Sequence, residues 1–273
     1  MNRDQLKTIQ AEVERVANEH GIIPIFVSEV GSHSWGYSGP NSDYDLYVVY
    51  VQIPWKVKVA STEAIGKSSF LADGRAVSIE YHSLISVCRK ATHSSIMSYK
   101  LMFGTWLAGE RQTSDNLLKI VAEYLNVGRL FDAFSGHAQT ERPDAKEQAR
   151  SLHCILVADQ IRQNPKRIPR LNITDMLHHG FTSTYFSNIA ILHALKWLRT
   201  DGSEPDVDLA KSSVYVAIRK AAKEVKEFDY EFSRAVPTTS IADTLYEQIC
   251  KRVLDQFVVR GAYELEWATG ANF

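Results

Sequence analysis

Three cysteines in 273 residues leave this chain without a disulfide framework. Cys88, Cys154 and Cys250 are odd in number, widely spaced and never in a CxxC pair, so they read as reduced, packed thiols. Charge of one sign is also missing. With 31 Lys and Arg against 32 Asp and Glu, the formal net charge is -1. That excludes the global positive field of a non-specific nucleic-acid binder and leaves room only for a local basic groove. No apolar run approaches the roughly 20 residues that span a bilayer. Met1 to Ala17 is charged throughout, without the apolar core of a signal peptide. The expected compartment is therefore the cytoplasm, with no membrane partner, and the sequon Asn172-Ile173-Thr174 reads as chance. Internal repeats and low-complexity segments are absent as well.

What remains is ordinary globular composition, 45% apolar and 23% charged, in a chain long enough for one large domain or two modest ones. Leu6, Ile9, Val13 and Val16 recur at helical spacing over Asp4 to Asn18, and Gly21 supplies a helix stop. Ile22 to Val30 reads as a buried strand, Ser34 to Gly39 as a tight turn or short helix, and Asp43 to Val51 as a second strand. Lys67 to Ala72 and Ala76 to His82 flank Asp73-Gly74, a strong hairpin signal. Beyond Ser83 the texture turns helical. Helices are predicted over Ser83 to Met102, Ser114 to Tyr124, Ala145 to Arg162, Ser183 to Arg199, Val207 to Phe228 and Ile241 to Val258.

The stretch that carries chemistry is Gly31-Ser32-His33-Ser34-Trp35-Gly36, followed by Asn41-Ser42-Asp43-Tyr44-Asp45. Residues two apart on a strand share a face, so Asp43 and Asp45 point the same way while Tyr44, Leu46 and Val48 pack behind them. Adjacent carboxylates repel and raise one another's pKa, and a divalent cation relieves that. Mg2+ suits such a pair, because it takes one or two protein carboxylates and leaves its other positions to water and substrate phosphates. A glycine before the pair lets the backbone turn sharply and approach an anion, to which the Ser32 hydroxyl adds a donor. Glu80 lies on the polar face of the later strand, with Ser78 and His82. It is the best third carboxylate for a two-metal site and a candidate general base.

Gly-Ser, ten residues, then Asp-x-Asp resembles the signature of the DNA polymerase β-like nucleotidyltransferase superfamily. The string GSHSWGYSGPNSDYDLYVVYV is similar to the subfamily of nucleotidyltransferases linked to RNA repair. The likeness covers Val30 to Val51 and extends weakly to Ile79-Glu80-Tyr81; at His33 the chain departs from the basic residue the family often carries. The resemblance implies phosphate binding at Gly31 and Ser32, with Ser42 beside them as a nucleotide contact. It implies Mg2+ or Mn2+ at Asp43, Asp45 and Glu80, and a nucleoside triphosphate, ATP favoured, as substrate. The expected fold is α+β, an N-terminal polymerase-β-like α/β domain over residues 1–110 followed by a mostly helical domain over residues 111–273.

Other signals are weaker. Gly66-Lys67-Ser68 lacks the glycine of a phosphate loop at position 61, where Ser61 stands, and a hairpin follows it instead of a helix. The histidines, His178-His179 among them, lack zinc-site spacing. Neither Arg89 to His93 nor Arg150 to His153 has the spacing of a helical HEPN-type ribonuclease. Arg162, Lys166, Arg167 and Arg170 put four cations within nine residues and are candidate acceptor-binding groups. RNA is the first choice of acceptor, by analogy with the RNA-repair subfamily. The alternatives are a protein-modifying, AMPylating enzyme of antitoxin type and a non-catalytic nucleotide- or RNA-binding protein on the same scaffold.

Overall fold

Helix α1, Arg3–His20, opens with a reciprocal cap: Asn2 Oδ1 accepts from the Gln5 amide and Gln5 Oε1 accepts from the Asn2 amide, both at 2.8 Å. It closes at Gly21, which takes the left-handed conformation at φ 61°. A computed structural model describes residues 1–39, 41–52, 65–92, 95–109, 115, 117–119, 122, 126–138, 144–167, 169–199 and 213–228. After α1 come β1, Ile22–Val30, a single helical turn α2, Ser32–Trp35, and β2, Tyr44–Gln52. The hairpin β3, Lys67–Ala72, and β4, Arg75–Ser83, turns on Asp73 and Gly74, both at positive φ, as the Asp-Gly signal predicts. Helices α3, Leu84–Thr92, and α4, Ile96–Phe103, lead to β5, Thr105–Gly109.

The five strands form one sheet in the order β3-β4-β2-β1-β5. β1 runs antiparallel to both β2 and β5, whereas β2 and β4 are parallel. Strand alternation sends Tyr44, Leu46, Val48 and Tyr50 to one face, where they pack with Val77 and Ile79 against Leu6, Ile9, Val13 and Val16 of α1. Each fully buried aliphatic there stabilises by about 1.5–3 kcal/mol. Tyr47, Val49 and Val51 point to the other face and meet Leu84, Val87 and Leu101 of α3 and α4. Asp45 lies two residues before Tyr47, on that second face.

The rest of the described chain is helical: α5, Val127–His137, α6, Ala145–Gln163, α7, Ile173–His178, α8, Asn188–Arg199, and α9, Ser213–Glu227. The mixed α/β sheet with a helical C-terminal region is the α+β architecture the sequence predicts. Helix α6 is buried along most of its length and centres a core that also takes in Trp35, Tyr37 and Tyr99. Its one buried carboxylate, Asp159, accepts from Ser183 Oγ at 2.8 Å, Thr184 N at 2.7 Å and Arg162 at 3.0 Å. That use of Ser183 is why the helix predicted from there begins only at Asn188, after Ser187 has capped it through the Ala190 amide. The helix predicted over Ser83 to Met102 is two helices, because Ser95 is extended and restarts the chain. β5, α5 and α7 have no counterpart in the sequence reading. Ser114 to Tyr124 lies largely outside the described residues, and Ile241 to Val258 wholly so. Among the described residues no helix is long and apolar enough to cross a membrane.

Glu29 in β1 is buried, and its Oε1 has no hydrogen-bond partner among the described residues. Burial pushes its carboxyl up from 4.5 to about 7, with the Asp45 charge adding to the effect. Between these values the folded chain holds a proton that the unfolded chain has lost, so stability falls as pH rises through that window and levels off above about 7. Glu29→Gln removes the charge. We expect it to exceed wild type by up to about 3 kcal/mol at pH 8 and to match it closely at pH 4.5; urea melts at the two pH values check this.

Candidate active site

Gly31 ends β1 at φ 82°, a conformation that L side chains rarely adopt. Space forbids a side chain as well: a Cβ built there would lie 2.6 Å from Asp45 Oδ2. The backbone of the turn therefore rests directly against a carboxylate of the neighbouring strand, an approach set by the β1–β2 register that pairs Val30 with Asp45. Helix α2 begins at once. Its Ser34 hydroxyl donates to the Glu29 carbonyl at 2.6 Å, and Asn172 Nδ2, from the start of α7, donates to the Ser34 carbonyl at 3.0 Å.

The connection to β2 is closed by Ser42, whose hydroxyl accepts from the Gly39 amide at 2.8 Å. His33 Nε2 sits 3.3 Å from the Ser42 carbonyl, and its ring stacks on Tyr44 with centroids 4.6 Å apart. Burial holds the His33 imidazole below its ordinary range, so it is neutral at pH 7. Asp43 comes next, then Asp45 at the head of β2. On the far side β4 sets Ser78 beside Asp45 and Glu80 beside Tyr47. Glu80 thus lies two residues along β4 from Ser78, the residue beside Asp45.

These elements line one cleft of about 280 Å³. Gly31, Ser32, Ser42, Asp43, Asp45 and Glu80 all border it. Burial pushes the Asp45 carboxyl above the usual range and the Asp43 charge adds to this, while Lys146, Lys67 and Lys100 pull the other way. Asp43 Oδ2 lies 3.7 Å from Lys146 Nζ; Glu80 lies 3.9 Å from Lys67 and 3.6 Å from His82. Among the described residues no group of three His, Cys, Asp or Glu is gathered closely enough to hold a metal ion. The paired hard oxygens of Asp43 and Asp45, facing a glycine cradle that a Cβ would fill, suit a single divalent cation that takes its remaining ligands from water and substrate.

The cleft also carries cations, and sequence reasoning missed them. Lys100 of α4 and Lys146 and Arg150 of α6 line the cleft, as does Trp35. The signal for Lys100 was present as a lone cation in the apolar run IMSYKLMF. Lys146 and Arg150 stand four apart on one helix face, but nothing in the sequence says what that face meets. The four candidate acceptor cations lie elsewhere. Arg162 pairs with Asp159 and lies 5.3 Å from the Tyr185 ring; Arg170 pairs with Asp175 at 2.7 Å; Lys166 and Arg167 are exposed. None of them borders the cleft.

No curated protein matches the chain. A solved nucleotidyltransferase-like protein from Exiguobacterium sibiricum is similar at 8% identity, with 98% of this chain and 96% of that one covered, at a TM-score of 0.31. A family model described as the RNA repair pathway DNA polymerase beta family matches residues 6–70, the segment that carries Gly31, Ser32, Asp43 and Asp45. Over that segment the chain is similar to the RNA repair pathway DNA polymerase beta family.

Proposed function

We propose that this protein is a metal-dependent nucleotidyltransferase that moves a nucleoside monophosphate from a nucleoside triphosphate, ATP favoured, to an acceptor hydroxyl. The observation that carries this reading is the close approach of the Gly31 turn to Asp45 in a cleft that Asp43 and Glu80 also border. Gly31 and Ser32 hold the β and γ phosphates, and Ser42 keeps the loop folded around them through its bond to Gly39. Asp43 and Asp45 would hold Mg2+ or Mn2+, the ion's other ligands coming from water and substrate; such an ion neutralises phosphate charge when bound. Glu80 is also placed to take the acceptor proton. The acceptor oxygen bonds to the α phosphorus, the α–β anhydride bond breaks, and pyrophosphate leaves with the bonding pair.

On this reading residues 1–110 carry the carboxylates, and the helical residues 111–273 close the cleft through α6. RNA is the proposed acceptor, and the family match over residues 6–70 supports that choice. Lys166 and Arg167, exposed and outside the ion pairs that engage Arg162 and Arg170, are the proposed anchors for its backbone. Incubation with each labelled triphosphate plus total RNA, and separately plus protein lysate, tests the acceptor. Label in protein alone would favour AMPylation, and label in neither would favour a binding role.

Asp45→Asn should lower nucleotidyl transfer by at least about 100-fold without lowering the melting temperature. Burial and the Asp43 charge already disfavour the Asp45 carboxylate, so a neutral isostere removes a cost. The stabilisation by Mg2+ plus ATP seen in wild-type melts should disappear; equal stabilisation in the variant removes Asp45 from the metal site.

Glu80→Gln should reduce turnover at saturating triphosphate by about 100-fold or more while triphosphate affinity changes little, the pattern of a lost general base. Steady-state kinetics separates this from a surface acid, which would leave turnover near wild type.

Charge reversal at Lys166 and Arg167 should weaken RNA binding and spare ATP binding. For every RNA phosphate that these cations no longer neutralise, the salt dependence should flatten by about 0.7 in log affinity against log salt. Filter binding across a salt series measures both, and unchanged RNA affinity excludes the loop.

A further inference from the structure

Helix α4 is apolar at Ile96, Met97, Leu101, Met102 and Phe103, yet it carries Lys100. A lysine in such a helix needs either a carboxylate or a route to water. Lys100 is partly buried, and among the described residues no carboxylate lies within 4.0 Å of it. Its Nζ stands 4.7 Å from the centroid of the Trp35 ring, a cation–π distance, at the wall of the cleft. Burial pulls the ammonium below the usual lysine range and the like charge of Arg150 pulls it further, while Asp45 and Glu80 in the same cleft pull the other way. Arg150 borders the same cleft. Its guanidinium is engaged only loosely, with His137 Nδ1 at 3.4 Å and Glu147 at 3.8 Å. Two cations that repel across a partly desolvated wall cost free energy unless an anion comes between them.

Trp35 fixes where that pair stands. Its ring lies flat against His153 of α6, with centroids 4.8 Å apart and planes 4° from parallel, while its indole N–H has no acceptor among the described residues. His153 is fully buried, and burial holds its imidazole down to about 3, so the partner ring is neutral at any working pH. Trp35 also ends the helical turn that Gly31 begins, its amide donating to the Gly31 carbonyl at 3.1 Å. One indole therefore joins the glycine turn, the lysine of α4 and the core of α6.

We propose that Lys100 and Arg150 form a phosphate seat in the cleft that Gly31 and Ser32 also border, with Trp35 as the residue that positions Lys100. The ligand class is a phosphate oxyanion. An ammonium meets it as a point charge and a guanidinium as a two-pronged donor. Within the nucleotidyltransferase reading, on which this rests, the oxyanion is either the β,γ-diphosphate of the nucleotide or a backbone phosphate of the acceptor.

Calorimetric titration of inorganic pyrophosphate into the metal-free protein at low salt tests the seat directly. Wild type should bind. Lys100→Met, matched in length to its apolar helix, should lose at least about tenfold in affinity with its melting temperature maintained, and Lys100→Arg should restore most of it. Trp35→Phe, which keeps an aromatic face, should bind near wild type; Trp35→Leu should bind more weakly. Pyrophosphate binding by Lys100→Met equal to wild type, or no binding by wild type, overturns the seat. In steady state, a Lys100→Met rise in the KM for ATP alone identifies the nucleotide as source, and a rise for a short oligoribonucleotide alone identifies the acceptor. Asp45→Asn should keep pyrophosphate binding while losing transfer. If wild type transfers nothing yet Lys100→Met still loses pyrophosphate, the seat stands and the transferase reading falls; if Asp45→Asn loses transfer while Lys100→Met binds normally, the reverse holds.

Discussion

The contact between the Gly31 backbone and the Asp45 carboxylate governs much of this cleft. It requires a residue without a Cβ at a positive φ, because any side chain would sit 2.6 Å from Asp45 Oδ2. It also requires the antiparallel register that pairs Val30 with Asp45. Shifting that register by one residue would turn Asp45 into the α1 core and bring Leu46 out to the cleft. The hydrophobic split between Leu46 and Val48 on one face and Tyr47 and Val49 on the other is thus what keeps the carboxylate where the turn can meet it. Packing energy spread over many aliphatic side chains fixes the position of a single charged group.

The cleft is electrostatically unfinished by itself. Asp45 is desolvated with Asp43 nearby, and Lys100 is desolvated with Arg150 nearby. The ion pairs that the cleft's acids do make, Asp43 with Lys146 and Glu80 with Lys67 of the adjacent strand, are long and exposed. Such pairs add little to stability. On the proposed reading such a cleft suits ligands of both signs, a cation at the acids and an anion at the bases. Elsewhere the same chain satisfies a buried acid fully, as at Asp159 with three donors, which it does not do for Asp45 in the cleft.

Much of the α/β unit was legible because its signals are local. Gly21 as a helix stop, Asp73-Gly74 as a hairpin turn and the alternation through β2 each act over a few residues, and the structure follows them closely. The helical part was less legible for a physical reason. Helix α6 is buried nearly all round, so it shows no polar face whose period could mark its neighbours. β5 is a five-residue edge strand, and α7 is six residues long; their existence depends on partners distant in sequence, β1 for the first and the Asn172 bond to α2 for the second.

Asp43 stands just before β2 begins, and residue order alone sufficed for the Gly31-Ser32 turn and for Asp45 at the head of β2, because these lie within fifteen residues and follow from strand period and glycine sterics. It also carried the family likeness, for the same reason: the match is to a contiguous stretch. Folding in three dimensions was needed to put Glu80 in the cleft with Asp45, since a parallel pairing between β2 and β4 has no turn to announce it. Folding, too, brought Lys100, Lys146 and Arg150 to the cleft, while Arg162 and Arg170 went to carboxylates of their own. A cluster of cations close in sequence is easy to see but free to pair locally. Cations from two helices meet at a cleft only when packing brings those helices there.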